Sequence, residues 1–230
     1  MAKMVMSPDF ALRSSSDERS TSSSGKVFKY AIKQIFDLAA SATALFLLAP
    51  LLVGIALLVR GRDGGPAFFR QTRIGKDGRP FKCLKFRSMV LDADGALQDH
   101  LARDPVAMRE WQDNQKLTVD PRITPIGAVL RKTSLDELPQ LINILKGEMS
   151  FVGPRPIVPD EIHRYGETFS HCFSVVPGLT GLWQVSGRSD CSYARRVALD
   201  SRYASDWTLL GDVEILLRTV PAVLQQHGSR

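Results

Sequence analysis

The sequence predicts an α+β, mostly helical chain: an N-terminal re-entrant membrane helix broken at Pro50, a small β-hairpin, then amphipathic helices. Three observations carry that prediction. Leu38 to Val59 is a run of 22 residues without a charge, with Pro50 at its middle and basic residues on both flanks. Next come two alternating segments around Lys76-Asp77-Gly78, the pattern of a hairpin. Beyond them, helical periodicities alternate with loops dense in Gly and Pro.

The elements follow in order. Residues 1–25 include a Ser/Thr-rich run from Ser14 to Ser24 with almost nothing apolar to bury, so a disordered tail is expected. The apolar run starts far from Met1 and no small-residue cleavage site follows it, which does not read as a signal peptide. A straight helix over 22 residues covers roughly 33 Å, enough for a bilayer core of about 30 Å, so length alone allows a single-pass anchor. Two features oppose a crossing. Pro50 removes a backbone hydrogen bond and favours a bend, leaving halves too short to span. Lys26, Lys29 and Lys33 precede the run while Arg60 and Arg62 follow it, and basic flanks stay on the cytoplasmic side. A helix over 26–60 that enters, breaks and leaves by one face satisfies both constraints. Asp37 sits at its mouth, where a charge is paired or functional.

Ala67 to Ile74 and Phe81 to Arg87 are the hairpin strands. Asp92 to Arg103 and a segment from Asp104-Pro105 through Trp111 have helical patterns. Asp120-Pro121 and Thr124-Pro125 make a turn, and a helix is expected from near Ser134 to Lys146, stopped by Gly147. Gly153-Pro154-Arg155-Pro156 and Pro177 to Gly187 read as loops. The last 25 residues return to helix, with Val213, Leu216, Leu217, Val220 and Leu224 forming a stripe that suits either a core or a membrane interface. Residues 61–230 would form one domain.

Composition narrows the function. Lys and Arg number 30 against 24 Asp and Glu, giving +6 and a pI near 9.4. The excess is local: Arg60 to Arg87 holds nine basic groups against Asp63 and Asp77, while the long C-terminal remainder is net negative. Such a segment attracts nucleic acid, phosphorylated substrates or an acidic membrane face. A nucleic-acid partner leaves the apolar run unexplained and is excluded. Cys83, Cys172 and Cys191 form no C-x-x-C pair, so neither a disulfide framework nor a zinc cage is encoded.

The sharpest chemical signal is Arg131-Lys132-Thr133-Ser134-Leu135-Asp136-Glu137-Leu138-Pro139-Gln140-Leu141. Ser134-x-x-Glu137 fits a capping box, and acids in a first turn suit the helix dipole. The same position would hold a carboxylate ionised, as a nucleophile or metal ligand requires. Asp92-Ala93-Asp94 has the D-x-D form of glycosyltransferase metal sites but falls where a helix starts.

Four segments complete a pattern: Lys82-Cys83-Leu84-Lys85-Phe86-Arg87-Ser88-Met89, Leu135 to Leu141, Gly147-Glu148-Met149-Ser150-Phe151-Val152-Gly153-Pro154-Arg155-Pro156, and Pro177-Gly178-Leu179-Thr180-Gly181 to Arg188. In this order they resemble the bacterial sugar transferases, the monotopic polyprenyl-phosphate phosphoglycosyl transferases, from about Lys26 to Leu224. Within that family the chain is most similar to the short exopolysaccharide-initiating undecaprenyl-phosphate galactose phosphotransferases. One departure is Ala49 before Pro50, where the family often has Ser.

The resemblance implies an inner-membrane, monotopic enzyme of EC 2.7.8 type on the cytoplasmic face, its amphipathic helices at the interface. It would move a hexose-1-phosphate from a UDP-sugar, galactose first and glucose next, to undecaprenyl phosphate, releasing UMP. This would be the first step of an exopolysaccharide repeat unit. Asp136 would be the nucleophile, with Asp136 and Glu137 holding Mg²⁺. Arg131 and Arg155, with Lys85 and Arg87, would bind substrate phosphates. Gln184, Arg188 and Asp200 would serve the nucleotide or support the site. Anionic membrane lipid is a further expected partner, and a homodimer is compatible. Two other readings stand beside this one: a metal-dependent glycosyltransferase releasing UDP through Asp92 and Asp94, and a non-enzymatic single-pass adaptor.

Overall fold

A computed structural model describes residues 8–114, 117–187 and 191–224. Helix α1 spans Pro8–Gly61. Helical backbone thus extends through the Ser-rich run, where composition alone predicts none. Adding turns to an existing helix avoids the costly nucleation step that an isolated polar segment faces. The expected break at Pro50 does not interrupt α1 either: helix continues beyond it to Gly61. Proline deletes one hydrogen bond, and the flanking Leu and Ala residues are strong helix formers. The segment Val27–Gly61 is long and apolar enough to cross a membrane.

One stripe of α1 packs along the rest of the protein. Tyr30 stacks on Trp207 with ring centroids 4.1 Å apart. Lys33 Nζ donates to Asp212 Oδ2 at 2.6 Å and to the Val152 carbonyl at 3.0 Å. Asp37 accepts the Phe151 N–H. Ala44, Leu45 and Leu48 meet Leu141, Ile144 and Met149. Ile55 and Val59 pack with Phe86 and Leu130. From Tyr30 to Val59 this contact line runs about 44 Å along the helix axis. The opposite stripe, with Phe46, Leu47, Val53 and Leu57, is exposed.

Strands β1 (Phe68–Ile74) and β2 (Pro80–Phe86) form the expected antiparallel hairpin. Its turn works because Asp77 (φ 56°) and Gly78 (φ 74°) are residue types that tolerate left-handed backbone. Helix α2 (Ala93–Arg103) is capped by Asp92, which accepts the Gly95 N–H at 3.0 Å, and α3 spans Pro105–Asn114. The Thr124-Pro125 turn opens an additional helix, α4 (Pro125–Thr133), with Thr124 as its cap and Pro125 in its first turn.

The single helix expected from Ser134 to Lys146 is instead a 3₁₀ turn (Leu135–Glu137) followed by α5 (Gln140–Leu145). Ser134 ends α4 at φ 57° with no side-chain cap, so the capping box does not form. Pro139 then bars a regular start before Gln140, because it has no N–H to give.

The segment Pro177 to Gly187, expected as a loop, contains β4 (Gly178–Thr180), which pairs in parallel with β3 (Ser150–Val152), a strand just before the Gly153–Pro156 loop. Glycines permit their crossing: a Cβ on Gly178 would lie 2.1 Å from Gly153 N, and one on Gly181 2.1 Å from Gly153 O. Short helices α6 (Ile162–Tyr165) and α7 (Phe169–Cys172) lead to α8 (Tyr193–Asp206) and α9 (Leu209–Leu224). On α9, Ile215 is buried while Leu210, Val213, Leu217 and Val220 form an exposed apolar row. All three cysteines are free.

Candidate active site

Asp136 and Glu137 sit on the 3₁₀ turn after α4, and β2 presents Lys85 to both. Lys85 Nζ lies 2.6 Å from Glu137 Oε1 and 3.9 Å from Asp136 Oδ2. Asn143, fully buried on α5, fixes that strand: its Oδ1 accepts the Leu84 N–H and its Nδ2 donates to the Lys82 carbonyl and to Glu148. A narrow cleft opens here between the hairpin and the loops that follow β3 and β4. Lys85, Glu137, Arg155 and Gln184 line it, together with Arg73, Cys83 and Gln140.

The two carboxylates differ in electrostatics. Asp136 is 9% exposed, and burial, with the Glu137 charge added, pushes its carboxyl above the ordinary value against Lys85 and Arg131. This corrects the expectation that a helix N-terminus holds Asp136 low. A three-residue 3₁₀ turn has too little aligned dipole to offset desolvation. Burial also acts upward on Glu137, but Lys85, Arg155 and Arg73 outweigh it and its carboxyl falls below the ordinary value. Environments that separate two adjacent carboxyls mark sites built for divided roles.

The remaining predicted residues are placed as follows. Arg131 Nε donates to Ser88 Oγ at 2.8 Å, and its charge reaches Asp136. The Arg155 guanidinium lies over the Trp183 ring, 5.7 Å from its centroid. Gln184 Oε1 is buried without a hydrogen-bond partner. Asp200 is 1% exposed behind the cleft; it accepts the Tyr165 hydroxyl at 2.7 Å, and Arg196 Nε lies 3.9 Å away. Burial pushes its carboxyl up to about 6, against Tyr165, Arg196 and the Arg155 backbone. Arg87 is not brought to the cleft: its Nη2 donates to the Val59 carbonyl and Asp63, clamping the end of α1. Arg188 lies outside the described residues. Asp92 spends its carboxylate on capping α2, and Asp94 is exposed.

Arg73 lies outside the quoted motifs, and Gln140, though inside one, carries no predicted role; both line the cleft. Arg73 could have been found from the hairpin itself. The register pairs Arg73 with Phe81, Gln71 with Cys83 and Phe69 with Lys85, so residues 69, 71 and 73 share Lys85's face. Arg73 donates to Gln71 Oε1 and to the Pro156 carbonyl, which holds its charge in the cleft on neutral partners.

Among the described residues no group of three or more His, Cys, Asp or Glu could form a metal cage. Two adjacent carboxylates are nevertheless the donor set that Mg²⁺ uses when substrate phosphates complete its shell. The Lys85 ammonium is seated between them.

A carboxylate pair and a cluster of cations, on the same body as a packed helix long and apolar enough to cross a membrane, are what an enzyme acting on anionic groups beside a membrane would need. The chain belongs to the bacterial sugar transferase family, whose pattern matches residues 28–226, and it is a transferase. It is 50% identical over 197 residues to the exopolysaccharide production protein ExoY of Sinorhizobium fredii, covering 86% of this chain and 87% of that one. It is 49% identical over 198 residues to the undecaprenyl-phosphate galactose phosphotransferase of Salmonella typhimurium, 86% of this chain and 41% of that longer protein. The UDP-glucose:undecaprenyl-phosphate glucose-1-phosphate transferase of Caulobacter vibrioides is 39% identical over 205 residues, 86% of this chain and 71% of its own.

Proposed function

We propose that this chain transfers a hexose-1-phosphate from a UDP-sugar to undecaprenyl phosphate and releases UMP. The observation that carries the reading is Lys85 bridging Asp136 and Glu137, with Lys85 and Glu137 lining a cleft that Arg73 and Arg155 make cationic. A site for a diphosphate needs such a surplus of fixed positive charge beside a nucleophile. Galactose is the favoured sugar and glucose the next, in keeping with the names of the relatives.

In the first step an Asp136 carboxylate oxygen attacks the β-phosphorus. The bond from that phosphorus to the bridging oxygen breaks, UMP leaves with that oxygen, and the hexosyl phosphate stays on Asp136. In the second step an acceptor phosphate oxygen attacks the same phosphorus, which frees the Asp136 carboxylate and yields undecaprenyl-diphospho-hexose. Asp136 and Glu137 would hold Mg²⁺, which when bound offsets phosphate charge. Glu137 suits that role better than a general base, since its carboxyl is held below the ordinary value. The acceptor needs no base: a phosphate monoester has a second pKa near about 6 and is already mostly dianionic at neutral pH. Arg155 and Arg73 bind phosphate oxygens through their guanidinium forks.

The monotopic, re-entrant reading belongs to this proposal; since α1 runs through Pro50 without interruption, its support is not a break but the packing of α1. Both ends of its apolar stretch, at Lys33 and at Val59, pack against one body, which favours both ends on the cytoplasmic face. Cysteines introduced at Lys29 and Arg62 test this: labelling of both from the cytoplasm alone is expected, and labelling from opposite sides refutes it.

The chemical test supplies UDP-galactose or UDP-glucose with undecaprenyl phosphate to the protein in lipid discs. UMP, a lipid diphosphosugar and a covalent hexosyl-phosphate adduct are expected, and Asp136→Asn should abolish all three. UDP as the product, or full turnover by folded Asp136→Asn, overturns the reading.

A further inference from the structure

Away from the cleft, the last turns of α1 and the start of β1 enclose an open groove of about 670 Å³, the size of a ligand site. Its floor is apolar, built from Ala56, Leu57, Phe68 and Phe69, and Arg60 and Arg70 stand at it. None of its lining residues is acidic, and the nearby Asp63 is engaged by Arg87. Leu57 is 66% and Phe69 50% exposed, so nothing among the described residues covers the floor at these positions. Its wall is firm, because Phe68 stacks on the buried Phe86 with centroids 5.3 Å apart.

Charge and shape together specify the occupant. Two guanidiniums without a carboxylate call for an anion, and an apolar floor that continues onto the exposed stripe of α1 calls for a hydrocarbon chain. A long-chain lipid phosphate has both. The hairpin register connects this groove to the chemistry. Phe69 on the groove is the direct cross-strand partner of Lys85, and such partners place their Cβ atoms about 5 Å apart on one face. Among the described residues the outer edge of β1 is engaged at Ile74, which bridges Ile157, while Phe68 to Arg70 stay exposed, so a ligand can pass around that edge from Arg70 to the Lys85 face.

We propose that this groove is the loading site for the polyprenyl-phosphate acceptor: the isoprenoid chain lies on Leu57, Phe68 and Phe69, and Arg60 and Arg70 receive its phosphate before it reaches Lys85. This rests on the transferase reading above and adds where its lipid substrate is bound. The sugar nucleotide does not use the groove, so the two half-reactions should separate.

The test uses the full chain in phosphatidylcholine discs, comparing wild type with Arg60→Gln/Arg70→Gln and with Phe69→Ser. UMP release from UDP-sugar without acceptor reports the first half-reaction and confirms a folded site. Transfer to undecaprenyl phosphate reports the second. For the double Arg variant, KM for undecaprenyl phosphate should rise about 30-fold, from two lost lipid-phosphate attractions, with KM for UDP-sugar and UMP release unchanged. Phe69→Ser should lose the preference for undecaprenyl phosphate over farnesyl phosphate, which leaves most of the floor empty. An unchanged acceptor KM, or an equal rise in both substrates' KM, overturns the groove while leaving the transferase reading intact. A defect seen only when phosphatidylglycerol is added assigns the groove to bulk anionic phospholipid and also overturns it. A wild-type protein that makes no undecaprenyl product overturns the transferase reading, and the groove assignment with it.

Discussion

Replacing Asp200 by Asn removes a deeply buried carboxyl that the fold holds at a cost. Asp200 is 1% exposed; its Oδ2 accepts from Tyr165, while its Oδ1 has no hydrogen-bond partner. Burial raises its pKa from 3.8 to about 6. The folded state therefore binds this proton more tightly than the unfolded chain. The associated stability is fully present below about pH 3.8 and is lost as pH rises through about 6. A gap of about two units corresponds to about 3 kcal/mol. Asn keeps an acceptor for Tyr165 and does not titrate. The stability difference between Asp200→Asn and wild type should therefore move by about 3 kcal/mol in favour of Asn from pH 3.5 to pH 7. For a domain of this size that is roughly 6–12 °C in relative Tm. Thermal unfolding of both proteins in lipid discs across this range measures it, with wild type as the internal reference for every other titrating group. A difference that stays flat with pH, or moves in favour of Asp, refutes the argument that burial outweighs Tyr165 and Arg196 at this site.

Three further outcomes are expected. Lys85→Met removes a hydrogen bond to a charged group worth about 1.5–3 kcal/mol, so turnover at neutral pH should fall roughly ten- to hundred-fold. The acid limb of its pH–rate profile should also move to higher pH as Asp136 loses its cation, whereas Lys85→Arg keeps the limb in place. Asn143→Ala breaks three hydrogen bonds and strands the Leu84 N–H and Lys82 carbonyl; a loss of about 3–5 kcal/mol is expected in denaturant unfolding. Gly178→Ala forces a Cβ to 2.1 Å from Gly153 N, so β3 and β4 must part. Destabilisation of at least about 3 kcal/mol should show in the same assay, together with a raised KM for UDP-sugar as Arg155 and Gln184 shift.

The hairpin was legible down to its turn because its signals are local: alternation in Phe68–Ile74 and Pro80–Phe86, and two residues at 77 and 78 that accept positive φ. Asp136, Glu137, Lys85 and Arg155 were legible as motif residues. The β3–β4 pair was not, since Gly153, Gly178 and Gly181 look like loop punctuation until two distant backbones are seen to touch. The same holds for Arg87, whose motif position suggests phosphate while its side chain clamps the end of α1. The two-residue strand period would have revealed Arg73, had it been applied across the hairpin.

By itself, the order of residues determined an apolar helix with basic flanks, the segment of positive charge after it, and an adjacent carboxylate pair among cationic motifs. These follow from hydrophobicity, charge and turn chemistry, which act over a few residues. Only the tertiary structure decided that one side of α1 lies along the body from Tyr30 to Val59, and that Asp136 is pushed up while Glu137 is held down. It alone also set an apolar groove behind Lys85. Those outcomes depend on desolvation and on charges brought close from remote parts of the chain, and both exist only once the chain is packed.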